Sequence, residues 1–231
     1  MGVPGRKLRR RRPAPTGTPT EREPRGPQVQ HVPPDSCPLA APETAPERSD
    51  AARNRLRILA AAQALFDRHG VESVSMDRIA AEAGVGKGTL FRRFGSKAGL
   101  AAALLDTQDS RLQERILFGP PPLGPDAPAA DRVVAFFDAY LDLLDDNLEL
   151  LRLSETAAPG ARYRIGSYGF WRVHLTLLLR EACPDLDADC TAHLLLAPLD
   201  SDLQHALRQG QFRPERIRST LLTLVNRVIG R

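Results

Sequence analysis

The chain has 231 residues, 42% of them hydrophobic, which is enough to bury the cores of one small domain and one larger domain. Its formal net charge of +4 hides an asymmetry, because residues 51–97 carry nine cations against four acids whereas residues 98–231 carry fourteen against eighteen. No apolar run approaches the roughly 18 residues of a membrane span, so a transmembrane protein is not expected.

Residues 1–50 contain 11 prolines and almost no bulky apolar side chains, a composition that predicts disorder. The first twelve residues hold six cations and no acid, which predicts an arm that binds nucleic acid without sequence preference. Alternatively, the tail is dispensable or precedes the true start codon. Arginine outnumbers lysine 29 to 3, as in GC-rich genomes, where basic sequence arises upstream of a start.

The first folded helix is predicted from about Asp50 to Arg68, with an apolar stripe on one side and Gly70 at its end. Residues 75–97 then read SMDRIAAEAGVGKGTLFRRFGSK, two short amphipathic helices joined by a glycine turn. Ser75 stands where an N-cap oxygen accepts from free backbone N–H groups, and Gly84 suits the positive φ that ends a helix. This pattern predicts a helix-turn-helix over about residues 75–94, and therefore DNA binding.

The second short helix is predicted to begin near Lys87 and to turn its cations outward. Lys87 and Lys97 both fall in the first turn of a helix, where the macrodipole disfavours a cation by roughly 0.3–1 kcal/mol. A DNA phosphate would offset that cost, and Gly88 would allow the helix to approach it closely. The alternative is that these lysines are ordinary solvated surface residues.

The stretch from Gly84 to Thr89 superficially resembles a nucleotide-binding phosphate loop. That loop needs G-x-x-x-x-G-K-[ST] after a strand, but Gly88 takes the Ser/Thr position and Ala81 takes the place of the first glycine. An alanine-rich helix precedes it instead of a strand. The sequence therefore argues against nucleotide binding.

Residues 53–105 resemble the DNA-binding domain of the TetR family of transcriptional regulators. The resemblance rests on Arg55-x-x-Ile58-Leu59, Ala61-Ala62, Leu65-Phe66, Gly70, Ser75-Met76, Ile79-Ala80, the run from Ala83 to Phe91, and Phe94 with Ser96-Lys97. It implies a recognition helix whose Phe91 replaces the family's usual tyrosine, keeping the ring packing and losing a hydroxyl that reaches phosphate. The predicted DNA-binding residues are Ser75, Met76, Lys87, Gly88, Thr89, Phe91, Arg92, Arg93 and Lys97.

After the predicted helix-turn-helix, Ser96 is the expected N-cap of a long helix from about Lys97 to Ile116. The proline-rich residues 119–128 then predict a loop. Helical periodicity follows from Ala130 to Ala157 and from Ala161 to Ala182. The aromatic character of the second segment predicts the wall of a small-molecule effector pocket, with the ordinary core as the alternative reading. The candidate effector-binding residues are Phe137, Tyr140, Leu144, Tyr168, Trp171 and His174.

The last two helical segments are predicted at about residues 187–209, kinked by Pro198, and 214–228, started by Pro214. Their apolar seams run along Leu196, Leu199, Leu203 and Leu207 and along Ile217, Leu221, Leu224 and Val228. In the resembled family two such helices from each subunit form a four-helix dimer interface. Burial within one subunit would explain the same seams. A palindromic operator, however, needs two DNA-binding domains at a fixed spacing, which favours a homodimer.

The cysteines give no sign of a disulfide framework or of a metal site. They are odd in number, and no signal peptide is recognised, so a reducing cytoplasm is expected. Cys183, Cys190 and His193 lack the paired C-x-x-C spacing, and Pro184 interrupts them, so neither a metal nor a cofactor is predicted.

The sequence therefore predicts an all-α protein with three parts: a tail over residues 1–50, a DNA-binding domain over 51–112 and an effector-binding and dimerisation domain over 113–231. Its expected function is that of a dimeric transcriptional regulator, a repressor that binds a palindromic operator and is released by a small molecule. One alternative is a constitutive DNA-binding protein without an effector. The other, an enzyme, finds no catalytic motif in the sequence.

Overall fold

A computed structural model describes the backbone of residues 45–231 and the side chains of residues 50–231. This part of the chain consists of α-helices and short 3₁₀ turns and contains no strand, which confirms the predicted all-α class. The basic run at Arg6–Arg12 and the rest of the predicted tail lie outside the described residues. Within residues 45–231, no helix is both long enough and apolar enough to cross a membrane.

Three helices form the first part of the described chain: α1 over Ala45–His69, α2 over Met76–Glu82 and α3 over Lys87–Phe94. Helix α1 begins five residues before the predicted Asp50, and Gly70 ends it with φ of +76° as expected. Ile58, Ile79 and Leu90, one from each helix, have no exposed surface. Their burial fixes α2 and α3 against α1, so the exposed face of α3 has a defined orientation.

Helix α4 spans Lys97–Phe118 and links the three-helix unit to the rest of the molecule. Ser96 caps it as predicted, since its Oγ accepts from the Gly99 N–H at 3.1 Å. The helix packs against α1 and α3 near its start and against the fifth helix over much of its length, and it continues without a break across the predicted domain boundary at residue 112.

Helix α5 spans Ala129–Glu155 and is kinked at Asn147, where φ and ψ are −131° and 20°. The Asn147 side-chain amide donates to the Leu143 carbonyl at 2.9 Å, so it competes for an acceptor inside the helix and accounts for the local distortion. Phe136, Phe137 and Leu144 of this helix are fully buried. Helix α5 is therefore the central element against which α4 and the later helices pack.

The remaining helices are α6 over Gly166–Ala182, α7 over Ala188–Leu196, α8 over Ser201–Gln209 and α9 over Pro214–Val228. The helix predicted from Ala161 is instead a 3₁₀ turn over Arg162–Arg164, an extended Ile165, and then α6. The kinked helix predicted over residues 187–209 is two helices. Pro198 lies in a 3₁₀ turn, and the Asp200 carboxylate caps α8 by accepting from the Leu203 N–H at 2.9 Å.

Candidate nucleic-acid interface and internal cavity

Helices α2 and α3 form the predicted helix-turn-helix. The Ser75 hydroxyl accepts from the Arg78 N–H at 3.2 Å, Gly84 takes φ of +61°, and the extended Gly86 precedes α3. These three residues begin α2, end it and begin α3 through local backbone geometry and capping. Because Leu90 is fully buried beneath the turn, the opposite face of α3 points outward.

The outward face of α3 carries Lys87, Gly88, Arg92 and Arg93, all of them exposed, while Thr89 is half-buried. Phe91 is 46% exposed, so part of its ring is covered by the domain and part lies on this outward face. The reason is its position next to Leu90, since consecutive helical residues point about 100° apart and only one of the two reaches the core. Phe91 thus adds an apolar ring to a basic surface.

Among the described residues, no neighbour of Gly88 comes so close that a side chain would be excluded. A Cβ placed on this residue would meet nothing within 4 Å, and its φ is not in the left-handed region. Gly88 is the second residue of α3, and glycine is a poorer helix former than alanine. Its presence on the exposed face of α3 therefore has no explanation in the fold of the subunit.

Two residues predicted to contact DNA are used by the domain itself. Met76 is 9% exposed and lies on the same face of α2 as the buried Ile79, three residues later. Its side chain belongs to the core, which corrects its assignment to the DNA surface. The Ser75 oxygen is occupied as an N-cap, although its hydroxyl proton is still free to donate.

The two lysines at helix starts have partners within the chain. Lys87 Nζ lies 2.5 Å from Asp77 Oδ2, and Lys97 Nζ donates to the Glu72 carbonyl at 3.2 Å. The cost of a cation at the start of α3 is thus offset without a phosphate, contrary to the sequence argument. Both members of the Lys87–Asp77 pair are more than half exposed, so the pair contributes little and is easily exchanged for another anion.

Arg92 and Arg93 differ in their surroundings. Arg93 Nη1 donates to the Ala51 carbonyl near the start of α1, whereas Arg92 makes no hydrogen bond to the described residues. Both arginines line a groove of about 500 Å³ between α1 and α3, together with Asn54. Sequence reasoning missed Asn54, because its position beside α3 depends on how α1 crosses the helix-turn-helix.

A second candidate site is a cavity of about 30 Å³ enclosed by α4, α5, α6 and the 3₁₀ turn before α6. Three of the predicted effector residues line it, namely Tyr140, Tyr168 and Trp171. Polar groups that the sequence did not single out share the same walls: Asp109, Ser154, Glu155, Arg162 and Ser167. This volume is about that of one water molecule in the liquid, and it is far below the roughly 300–1,000 Å³ of a usual ligand pocket.

The other three predicted effector residues do not line this cavity. Phe137 and Leu144 have no exposed surface and lie in the packed core. The His174 ring stands 5.7 Å from that of Phe136 and stacks on Phe170, and burial lowers its pKa to about 4. These residues are spaced along their helices as expected, but the helices are rotated so that only part of the aromatic stripe faces the cavity.

A buried ion pair forms the end of the cavity. Arg162 Nη1 binds Glu155 Oε1, and both side chains are about 95% buried. The Arg162 Nη2 group also donates to the Leu196 carbonyl at 3.2 Å, and Glu155 Oε2 accepts from the Ser201 N–H at 3.0 Å. The pair thereby connects the end of α5 to the last residue of α7, Leu196, and to the first residue of α8, Ser201.

The ionisable groups beside this pair respond to burial. Burial raises the pKa of Asp109 to about 6, with a hydrogen bond from Ser167 opposing the effect. Burial also raises the pKa of Tyr140, and the nearby positive charge of Arg162 opposes the effect. The cavity thus combines aromatic rings with one ion pair and one additional carboxyl group.

The surface formed by α8 and α9 holds an apolar groove of about 280 Å³. Its walls include Pro198, Leu207, Phe212, Ile217, Leu221 and Leu224. The predicted seams are divided between two environments: Leu196, Leu199 and Leu221 are buried within the subunit, whereas Leu203, Leu224 and Val228 are 39–55% exposed.

Residues 50–231 contain no group of three or more His, Cys, Asp and Glu side chains placed to hold a metal ion. His193, one of the three residues considered from sequence, has its Nδ1 atom 2.7 Å from the Tyr168 hydroxyl. Cys183 is half-buried and Cys190 is exposed.

Comparison with known proteins gives the same picture of the first part of the chain. Residues 58–104 match the family model described as bacterial regulatory proteins, tetR family. An HTH-type transcriptional regulator of Staphylococcus aureus (strain USA300) is 55% identical over 53 residues, which are 23% of this chain and 29% of the relative. The chain thus matches less than a third of the length of the curated relatives.

Solved structures resemble a larger share of the chain. A protein of Pseudomonas aeruginosa PAO1, described as a transcriptional regulator, is 27% identical with a TM-score of 0.55, covering 78% of this chain and 92% of its own. A Saccharomonospora viridis protein, also described as a transcriptional regulator and crystallised with choline, is 24% identical with a TM-score of 0.56, covering 76% and 96%. The second similarity concerns the fold alone.

Proposed function

We propose that this chain, whose residues 58–104 match the tetR family of bacterial regulatory proteins, binds operator DNA as a homodimeric repressor and releases it when a small effector binds. The observation that carries the proposal is the exposed face of α3, where Gly88, Arg92 and Arg93 stand over the buried Leu90. The family and the fold are those of transcriptional regulators, which are generally not enzymes.

DNA is the partner that accounts best for this face. An α-helix fits the major groove, arginine pairs with the guanine edge, and backbone phosphates attract the surrounding cations. Gly88, which the fold does not require, permits close approach of the helix to the duplex. Lys87 can exchange its exposed partner Asp77 for a phosphate, and Lys97 lies at the start of α4 where a second phosphate contact is expected.

The homodimer is proposed through α8 and α9. Leu203, Leu224 and Val228 are exposed there beside the apolar groove, and a second copy would cover them by two-fold symmetry. Two copies of α3 at fixed spacing would then read two half-sites of a palindrome.

Effector release is proposed through α4, which runs from the helix-turn-helix into the wall of the cavity. A ligand between α4, α5 and α6 alters DNA affinity if it prefers one arrangement of α4 over another. The choline bound by the similarly folded S. viridis protein supports an organic ligand in a protein of this fold.

A second candidate function is constitutive DNA binding without an effector, and the small volume of the cavity favours it. An effector of ordinary size must displace side chains before it enters the roughly 30 Å³ space. The two functions share the same DNA surface and differ only in whether any ligand changes operator affinity.

Selection of bound sequences from a random DNA pool tests the proposal. The account expects enrichment of two inverted half-sites with fixed spacing, and a parallel selection with the Arg92→Ala variant should lose preference at particular base pairs. Arg111→Ala serves as the matched control, since Arg111 is exposed on α4 away from α3. Enrichment of no sequence by the parent protein would contradict specific DNA binding.

A further inference from the structure

Most polar groups around the internal cavity already have partners. Glu155 uses both carboxylate oxygens, one on Arg162 and one on the Ser201 N–H. Arg162 donates to Glu155 and to the Leu196 carbonyl. The Tyr168 hydroxyl pairs with His193, and the Ser154 hydroxyl donates to the Leu151 carbonyl. A ligand entering the cavity finds none of these groups free without breaking an existing bond.

Asp109 is the exception. Its carboxyl group has no ion-pair partner in the described structure, and the Ser167 side chain lines the cavity with it. An ionised carboxylate accepts about four hydrogen bonds, so most of its acceptor capacity is unused. With Glu155 and Arg162 cancelling each other, ionised Asp109 leaves the cavity with a net negative charge.

Aromatic rings line the same space. Trp171 and Tyr140 form an edge-to-face pair with centroids 5.9 Å apart, and both line the cavity with Asp109. The face of an indole or phenol ring attracts a cation within about 6 Å. The guanidinium of Arg162 already lies 5.6 Å from the Tyr168 centroid, so a cation over a ring is part of this environment.

We propose that the cavity binds an organic amine in its ammonium form, with the ammonium group between the Asp109 carboxylate and the Trp171 ring. This assignment deepens the proposed function, because the amine would be the effector. The volume of about 30 Å³ admits one ammonium group. Its alkyl part extends towards Ala102, the exposed residue among those lining the cavity.

The charges exclude the opposite ligand class. A carboxylate or phosphate in this space would face both Asp109 and Glu155, and it would have to displace Glu155 to reach Arg162. A neutral alcohol would form one hydrogen bond with Asp109 but would gain neither the charge attraction nor the cation–π contact. The site therefore discriminates by charge among ligands of equal length.

The chain contains a single tryptophan, Trp171, so its fluorescence reports on this cavity directly. Full-length protein at pH 8 is titrated with n-hexylammonium, n-hexanol and hexanoate, three probes with the same alkyl chain. The proposal expects saturable binding of hexylammonium, at least tenfold tighter than that of either other probe. Equal affinities for the three probes, or no change of Trp171 fluorescence with millimolar hexylammonium, would overturn the proposal.

Variants locate the ammonium group. Asp109→Asn should weaken hexylammonium binding at least tenfold and leave hexanol binding within about twofold. Asp106→Asn is the control, since Asp106 is an exposed acid one turn earlier on α4. Asp109→Glu keeps the charge and should retain part of the affinity, which separates loss of charge from misfolding. Undiminished binding to Asp109→Asn would overturn the assignment.

Operator binding is measured separately with the same samples. If hexylammonium fails to bind while the protein selects a palindrome, the amine site is wrong and the DNA-binding proposal stands. If hexylammonium binds and operator affinity does not change, the amine site stands and effector release is wrong.

Discussion

Glu155 and Arg162 form an ion pair that is about 95% buried on both sides and joins α5 to the segment before α6. Neither charge has access to bulk water, so each depends on the other and on backbone partners at Ser201 and Leu196. The pair therefore fixes the position of the 3₁₀ turn and of the α7–α8 junction around the cavity.

Replacing Arg162 with methionine should destabilise the protein by roughly 3–5 kcal/mol, because Glu155 would be left as an uncompensated buried charge. Chemical unfolding followed by circular dichroism measures the change. The control is Arg164→Met, which removes an exposed arginine two residues later. The double variant Glu155→Gln with Arg162→Met should recover part of the loss, and a double variant no more stable than Arg162→Met would argue against the buried-charge explanation.

Asp77→Asn should strengthen DNA binding. The carboxylate of Asp77 now neutralises Lys87 at the start of α3 and would repel a phosphate placed there. Its loss should increase the magnitude of the salt slope by about one unit while changing fold stability by less than about 1 kcal/mol, as for exposed pairs. Titrations of random duplex DNA at several salt concentrations test this, with the exposed Asp67→Asn on α1 as control. Weaker DNA binding by Asp77→Asn would contradict the role given to Lys87.

Asp109 should make the stability of the ligand-free protein depend on pH. Its pKa rises from 3.8 to about 6, mainly through burial, with Asp106 and Glu155 adding repulsion. The folded state thus holds this proton more tightly than the unfolded chain, so the contribution to stability falls as pH rises from about 4 to about 6. Asp109→Asn should remove that fall and raise the midpoint of thermal unfolding at pH 8.

Melting curves across this pH range compare Asp109→Asn with the parent and with Glu114→Gln, which changes an exposed acid further along α4. Identical pH profiles for all three proteins would mean that the Asp109 carboxyl titrates as a solvated group.

Leu224→Glu should dissociate the proposed dimer, because it places a charge on the exposed apolar surface of α9. Sedimentation velocity should show a monomer, and operator affinity should fall steeply because one subunit reads only one half-site. Leu177→Glu, at a similarly exposed leucine on α6, is the control. A variant at Leu224 that remains dimeric would place the interface elsewhere.

The helix-turn-helix was predictable because its signals are local. Ser75, Gly84 and Ser96 each determine the backbone within three or four residues of themselves, and the structure places all three as expected. Pro198 correctly predicted that the helix over residues 187–209 is interrupted, but the sequence did not show whether the helix bends or ends there. That outcome depends on Asp200, whose carboxylate provides a new N-cap immediately afterwards.

The cavity was only partly predictable because it depends on packing between distant elements. Periodicity grouped Phe137 and Leu144 with Tyr140 on one helix, although a small rotation of α5 decides which of them faces the cavity. Nothing in the sequence around Asp109 or Glu155 marks either acid as buried. Their neighbours come from α6 and from the α8 N-terminus, so no local pattern reveals their burial.

The most direct test of sequence-specific DNA reading compares Arg92→Ala with Lys97→Ala. Both variants, with the parent protein, are titrated against the selected operator and against random DNA over several salt concentrations. Arg92 is expected to reach a base edge, so its loss should reduce discrimination by roughly 1–3 kcal/mol at one position. Lys97 is expected to reach phosphate alone, so its loss should weaken all sequences equally and lower the salt slope by about one unit. Unchanged discrimination by Arg92→Ala together with unchanged affinity of Lys97→Ala would contradict the proposal that this face of α3 reads DNA.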